Sequence, residues 1–215
     1  MSRDVELSCR CGQLHGWMRD VAPEKINRAI CYCDDCQAFV HYLGRAELLD
    51  AHGGTDIVQG PPNKVTFDRG AEHIAGMRLR PKGLYRWYAS CCKTPLGNTV
   101  KPSLPFVGLV TEVFRGAPDA KSRDDVFGKP RAAVKGQYAI GGAPEGSTKF
   151  PWGMMAHIAR LLLGWKLGGK AWPHPFFNRA TGKPNRPMTV LKPEEREALR
   201  AHCGPNPSIA SSTTR

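Results

Sequence analysis

Cys31-Tyr32-Cys33-Asp34-Asp35-Cys36 is the stretch on which the reading of this chain turns, because it packs three thiols into six residues. A C-x-C places two side chains on one side of an extended segment, since side chains alternate with period two. The C-x-x-C that follows brings the third thiol back across a tight turn. Two more clusters flank it in sequence: Cys9-Arg10-Cys11-Gly12 upstream and Cys91-Cys92-Lys93-Thr94-Pro95-Leu96 downstream. Seven of the eight cysteines thus fall before residue 93, and Cys203 stands alone. Zinc takes four tetrahedral ligands with Zn–S distances of about 2.3 Å, commonly supplied in pairs from separate segments. Seven thiols make one closed four-ligand site and one three-ligand site. Cys31, Cys33 and Cys36 are the natural open set, since one short segment supplies all three; an open position marks a catalytic zinc. Cys9 and Cys11, joined by Cys91 and Cys92, then form a closed structural site that staples the sheet. Two other readings stand beside this one: reduced, buried cysteines without metal, and a redox dithiol at Cys33/Cys36, for which no βαβ context is present.

Working outward, the front of the chain reads as strands. Val5–Cys9 and Met77–Arg80 alternate, Lys64–Phe67 is a short strand, and Leu84–Tyr88 and Phe106–Val110 are aromatic or β-branched runs bounded by Pro or Gly. Asp34–Leu49 reads as the one helix of this half. Residues 116–150, rich in Gly, Pro and charge, read as a loop-rich connection with one strand over Gln137–Ile140. Beyond them Trp152–Leu167 carries apolar residues at helical spacing and stops at Gly168-Gly169. A proline-bearing arm follows (Pro173, Pro175, Pro184, Pro187), then a second helix opening at Lys192-Pro193-Glu194-Glu195 and closing at Gly204. The expected fold is mainly β, with twisted antiparallel sheets stapled by zinc and a C-terminal helical extension. The expected divisions are a β domain over 1–115, the connection over 116–150, a helical basic extension packed on the core over 151–204, and a frayed tail over 205–215.

Charge divides the same way. Residues 1–100 hold 13 Lys/Arg against 11 Asp/Glu, whereas residues 101–215 hold 18 against 8, which accounts for most of the net +12. The first residues lack the apolar core of a secretory signal, and the longest apolar stretch, 159–165, is far short of the ~20 residues of a membrane span. The expectation is a cytoplasmic protein, where grouped cysteines are metal ligands or catalytic thiols more often than disulfides.

In order and spacing, Cys9-x-Cys11-Gly12, Cys31-x-Cys33-x-x-Cys36 and an Arg-aromatic strand leading to Thr94-Pro95-Leu96 resemble the glutathione-dependent formaldehyde-activating enzyme family, which includes the centromere protein V relatives. The resemblance covers about residues 5–115 and lies closest to an uncharacterised bacterial branch. It implies a mainly β fold with a structural and a catalytic zinc, and carbon–sulfur chemistry that joins glutathione to formaldehyde or runs the reverse lyase reaction. The implied structural C-x-C falls on Cys9 and Cys11, and the implied catalytic set on Cys31, Cys33 and Cys36. The last motif departs: its second cysteine falls on Cys92, its first on Ala89 and its glycine on Lys93, leaving Cys91, water or a histidine as the fourth ligand.

Around the open set, Asp34, Asp35, His41 and Tyr42 are candidates for proton transfer, against plainer roles as helix caps and packing residues. Arg78, Arg80 and Arg86 alternate and can meet a carboxylate such as that of glutathione, or form a solvated strand face. The partners expected are thus a small thiol and a small aldehyde. The alternative function is a non-catalytic, zinc-stapled scaffold that binds nucleic acid or a protein through its basic C-terminal half, where Trp165, Trp172, Phe176 and Phe177 sit among the charges. Trp152–Leu167 is expected to dock on the protein's own core, with a membrane surface as the other reading, and Cys203 is expected to be a free thiol.

Overall fold

A computed structural model describes residues 2–117 and 119–205, so the tail expected to fray lies, past its first residue, outside the described residues. The order of elements is β1 (Arg3–Ser8), β2 (His15–Val21), β3 (Asn27–Cys31), α1 (Asp34–Tyr42), β4 (Thr55–Gly60), β5 (Val65–Arg69), β6 (Ile74–Arg78), β7 (Tyr85–Ala89), β8 (Thr94–Thr99), β9 (Val107–Val110), α2 (Ala120–Phe127), β10 (Ala132–Val134), α3 (Trp152–Leu167), β11 (Met188–Val190) and α4 (Pro193–Arg200). The fold is mainly β, as the alternating and β-branched runs of the front require. Two sheets form: a three-stranded one in the order β1-β2-β5, and an eight-stranded one in the order β10-β3-β4-β9-β8-β7-β6-β11. Pairing is antiparallel except at the two edges of the larger sheet, where β10 lies parallel to β3 and β11 parallel to β6. The smaller sheet is thus purely antiparallel and the larger one mixed, because both edge strands of the larger sheet come from the back of the chain and arrive by crossover.

The main core lies around Leu7, Leu14, Trp87, Leu109 and Phe114, all buried to 2% exposure or less. Two side chains from the proline-bearing arm complete it. Phe176 stacks on Trp87 with centroids 4.6 Å apart and planes 6° from parallel, while Phe177 meets the same indole edge-on at 5.6 Å. The indole N–H donates to Thr99 Oγ1 at 3.0 Å, so burying Trp87 leaves no polar group unpaired. β8 is buried at every residue, which removes the alternation expected of a strand with one wet face.

Three local expectations change. The helix that follows the second cysteine cluster ends at Tyr42, where Leu43 and Gly44 (φ +65°) turn the chain into a short 3-10 segment over Ala46–Leu48. Gln137–Ile140 is not a strand: Lys135 adopts φ +63° and begins a 3-10 turn, and the strand of this connection is β10. The connection also holds α2, opened by a reciprocal Asp119–Ser122 capping box. α3 spans the residues its periodicity predicts, burying Ile158, Leu161 and Trp165 on one face. No helix among the described residues is long and apolar enough to cross a membrane.

Candidate metal centres and the adjoining cavity

Each cysteine cluster sits where a strand stops, and the folding of the strands brings seven of the eight thiols into two groups. In the first, Cys9 directly follows β1 and the chain reverses at once: Gly12 (φ +76°) permits a turn closed by hydrogen bonds from Gly12 N to Cys9 O and from Cys9 N to Leu14 O, both 3.0 Å. The Leu14 amide donates to Cys9 Sγ at 3.3 Å. Cys91 and Cys92 lie on the turn between β7 and β8, which closes with Lys93 in the left-handed region at φ +57°. A non-glycine residue in that region is uncommon, and Lys93 adopts it to turn the chain back into β8. The turn twists the adjacent cysteines toward one point. Sγ of Cys9 lies 3.5 Å from that of Cys11 and 3.8 Å from that of Cys91, with Cys11 and Cys91 3.4 Å apart. Cys92 completes the set at 3.8 Å from Cys91. Ala89 is a buried strand residue opposite Ile74 and takes no part.

Supporting bonds surround this group. Arg10 N donates to Thr94 Oγ1 at 3.0 Å, leaving the hydroxyl hydrogen for Cys92 Sγ at 3.1 Å. Burial pushes the Cys92 thiol up, yet the Thr94 hydroxyl and the Cys11 and Thr94 backbone outweigh it and bring it down to about 6. Arg115 donates to the carbonyls of Cys9 (2.6 Å) and Arg10 (3.2 Å), a role no sequence signal announced. Because Cys9 and Cys11 follow the smaller sheet and Cys91 and Cys92 the larger, this group joins the two sheets.

The second group forms where β3 ends and α1 begins. Cys31 is the last strand residue, Cys33 the residue preceding the helix, and Cys36 lies in its first turn, with Cys36 N donating to Cys33 O at 3.0 Å. Sγ of Cys31 is 3.4 Å from that of Cys33, and the three sulfurs lie within 4.8 Å of one another. The amino end of α1 favours negative charge there. Cys36 is held well below the ordinary thiol range by hydrogen bonds from Cys31 and Cys33 and by the Arg86 guanidinium, while hydrogen bonds with Cys31 and Cys36, together with burial, hold Cys33 well above it.

This group opens on a cavity of about 270 Å³. Its floor is a row of residues paired across the larger sheet: Arg86 faces Asn98, Asn98 faces Gly108, and Gly108 faces Gln59. Directly opposed residues share a face, and Gly108, with no side chain, leaves room in mid-row. Phe106 and Met154 also line the cavity. Arg86 is 2% exposed, points Nη1 at Cys36 Sγ (3.9 Å) and covers the Phe39 ring at 5.3 Å. It is the one member of the arginine trio that reaches the thiols. Arg78 lies over Tyr85 at 3.8 Å, and Arg80 pairs with Asp35 at 3.0 Å.

The remaining candidates separate in the same way. Asp35 lines the cavity; the residue at the cap position is Cys33, Asp34 Oδ1 accepts from the first-turn amide Asp35 N at 3.0 Å, and both acids also pair with α4 through Arg200–Asp34 (2.8 Å) and Arg196–Asp35 (3.3 Å). His41 packs on His202 at 5.3 Å and Tyr42 on Tyr88 at 6.3 Å, so neither faces the thiols. The Cys203 thiol is half-buried 3.6 Å from Asp34 O, and burial raises it to about 11. No local sequence signal marks Gln59, Asn98, Phe106 or Met154, because each comes from a different segment: strand register aligns Gln59 with Asn98 through Gly108, and Phe106 and Met154 arrive from the loop before β9 and from α3.

With seven thiols grouped and one group facing a cavity, the two sets define a mainly β, cysteine-rich protein able to hold metal at two places. The chain belongs to a family of unknown function, DUF6151, whose model matches residues 1–188. No curated protein matches it. Among solved structures, a Rhodobacter sphaeroides protein determined as a structural-genomics target is similar, with a TM-score of 0.41 and 13% identity over 56% of this chain and 96% of its own.

Proposed function

We propose that this protein is a zinc-dependent enzyme of carbon–sulfur chemistry, joining a small thiol such as glutathione to a small aldehyde such as formaldehyde, or running the reverse lyase reaction. The observation that carries the reading is the asymmetry of the two thiol groups: four sulfurs close on one another, whereas three share a cavity with a buried cation. The donor chemistry suits zinc, since thiolate sets select soft or borderline metals, and tetrahedral sulfurs at Zn–S bond length stand about 3.8 Å apart. The measured separations of 3.4–3.8 Å in the first group match that spacing. Cys9, Cys11, Cys91 and Cys92 would hold a structural ion, and Cys31, Cys33 and Cys36 the catalytic one. The motif resemblance to the glutathione-dependent formaldehyde-activating enzymes supports the same assignment, and a reducing cytoplasmic setting keeps the thiols available.

With Cys31, Cys33 and Cys36 as its holders, a zinc ion would supply Lewis acidity that favours the thiolate form of a substrate thiol. The chain's own residues do the rest. Three thiolates are an excess of negative charge over one dication, and Arg86 balances it from within the protein. Asp35, the one carboxylate among the lining residues of the cavity, accepts the proton the substrate thiol gives up. The Asn98 and Gln59 side chains offer hydrogen bonds to the aldehyde oxygen as the C–S bond forms and that oxygen gains the proton. The apolar lining, Phe106 and Met154 among it, excludes water that would otherwise hydrate the aldehyde. Residues 1–115 supply all of this except Val134 and Met154.

The test is metal content by elemental analysis together with thiol-dependent consumption of formaldehyde by the purified protein. Two zinc ions per chain, and turnover that Cys33→Ser abolishes with loss of one ion, are expected. Full metal content with no consumption of formaldehyde, acetaldehyde or glyoxylate in the presence of glutathione, cysteine or 2-mercaptoethanol would refute the enzyme reading.

A further inference from the structure

α3 is apolar on two faces, and only one is used. Ile158, Leu161 and Trp165 face the core, and His157 on the same side bonds the Ile26 carbonyl at 2.8 Å. The opposite face carries Trp152 (76% exposed), Met155 (40%), Leu163 (60%) and Leu167 (80%), with Phe150 (58%) just ahead of the helix. Ala156 and Ala159 fill the positions between them and are also exposed. With 3.6 residues per turn these positions form one continuous outward stripe. Exposed apolar residues scattered singly are ordinary, but a stripe running the length of a helix marks a surface meant to be covered.

The charges around the stripe say what covers it. Arg160 borders it on one side, Lys166 falls near its end between the lines of Met155 and Ala159, and Lys149 and Lys170 stand at its two ends. None of these four forms an ion pair among the described residues. From residue 146 to residue 193 the chain holds eight Lys/Arg and no Asp or Glu. A second copy of this chain is a poor occupant, because apposing two such faces brings cation against cation with no acid nearby to relieve it. Apart from the Trp152 indole, the apolar positions offer no hydrogen-bonding group, so the face has nothing with which to recognise a particular folded surface. It fits a non-directional apolar layer bordered by negative charge. We infer that the outer face of α3 is a docking surface for anionic lipid bilayers, with the helix lying in the headgroup plane, Trp152 and Leu163 inserted and the flanking cations at the phosphates.

The inference does not depend on the enzymatic reading. It is tested by co-sedimentation of the full chain with vesicles of phosphatidylcholine alone and with about a third phosphatidylserine. Binding to the anionic vesicles only, weakened by salt, is expected. Quenching of tryptophan fluorescence by brominated lipid, lost in Trp152→Phe, should accompany it. Leu163→Glu/Leu167→Glu, at two exposed positions that leave the core intact, should lower partitioning ~10-fold or more, and Arg160→Glu/Lys166→Glu should abolish the preference for anionic lipid. Sedimentation velocity and a DNA-binding titration complete the set. Failure to bind anionic vesicles at low salt, equal binding to neutral ones, a dimer that the leucine substitutions dissolve, or binding to DNA without binding to vesicles would each overturn the inference.

Discussion

A guanidinium is costly to bury without a counter-charge, and Arg86 is 2% exposed with no ion pair among the described residues. Its charge faces Cys36 instead, so its stability and the negative charge of the three thiols depend on one another. Arg86→Met, which keeps the volume and removes the charge, should weaken metal binding at the three-thiol group ~10-fold or more while sparing the four-thiol group. Competitive zinc titration against a chromogenic chelator reads the two affinities separately; equal weakening of both would contradict the pairing. His174 gives a second prediction at this scale. Its Nδ1 accepts from Phe176 N at 3.1 Å, its Nε2 is buried without a partner among the described residues, and burial lowers its pKa from 6.5 to about 4. Below the unfolded value the unfolded chain takes up a proton that the folded chain refuses. Stability should therefore fall as pH drops from about 6.5 to about 4, by on the order of 3 kcal/mol from this residue. Unfolding free energies from denaturant titrations at pH 7 and pH 4 should differ by that much more in the wild type than in His174→Gln.

α1 links the thiols to the end of the chain. Asp34 and Asp35 in its first turn pair with Arg200 and Arg196 of α4, and Gln37, buried in its middle, accepts from Gly204 N at 2.8 Å and donates to Tyr138 O at 2.9 Å. Asp34→Asn should cost about 2 kcal/mol and increase hydrogen exchange in α4 before any other element; uniform exchange across the sheets would show that α4 is held by other contacts. This element also shows what the sequence could and could not say. The thiols of Cys31, Cys33 and Cys36 were legible as a group because their spacing alone forces them together. The strands were legible from alternation, and α3 from its helical period. Asp34 and Asp35 read as caps because capping is a local habit of Asp, whereas their α4 partners lie some 160 residues downstream and Arg80 lies 45 residues from Asp35, beyond the reach of any local signal. The cavity floor was hidden for the same reason, since Arg86, Asn98 and Gln59 become neighbours only through the register of β7, β8, β9 and β4. The parallel edge strands were missed because β10 and β11 are three residues each, too short to show a period.

For the whole molecule, the four-thiol group has a larger mechanical role than the three-thiol group, because it ties the β1-β2-β5 sheet to the β7–β8 turn of the other. Cys9→Ser should lower unfolding stability by roughly 3 kcal/mol or more, whereas Cys33→Ser should lower it far less. Stripping metal with a chelator should bring wild type and Cys9→Ser to the same melting temperature; melting curves that coincide before chelation would rule out the staple. The edges of the larger sheet carry a different consequence, one of colloidal behaviour. β3 and β6 would each present an open ladder of amides and carbonyls, and each is closed by a three-residue strand from the back of the chain, too short to template another molecule. A chain cut before β10 would uncover β3 and β6 together with Trp87, left without Phe176 and Phe177. Such a fragment is built to pair edge to edge with its own copies, which makes the final third of the chain the part that keeps the protein from aggregating.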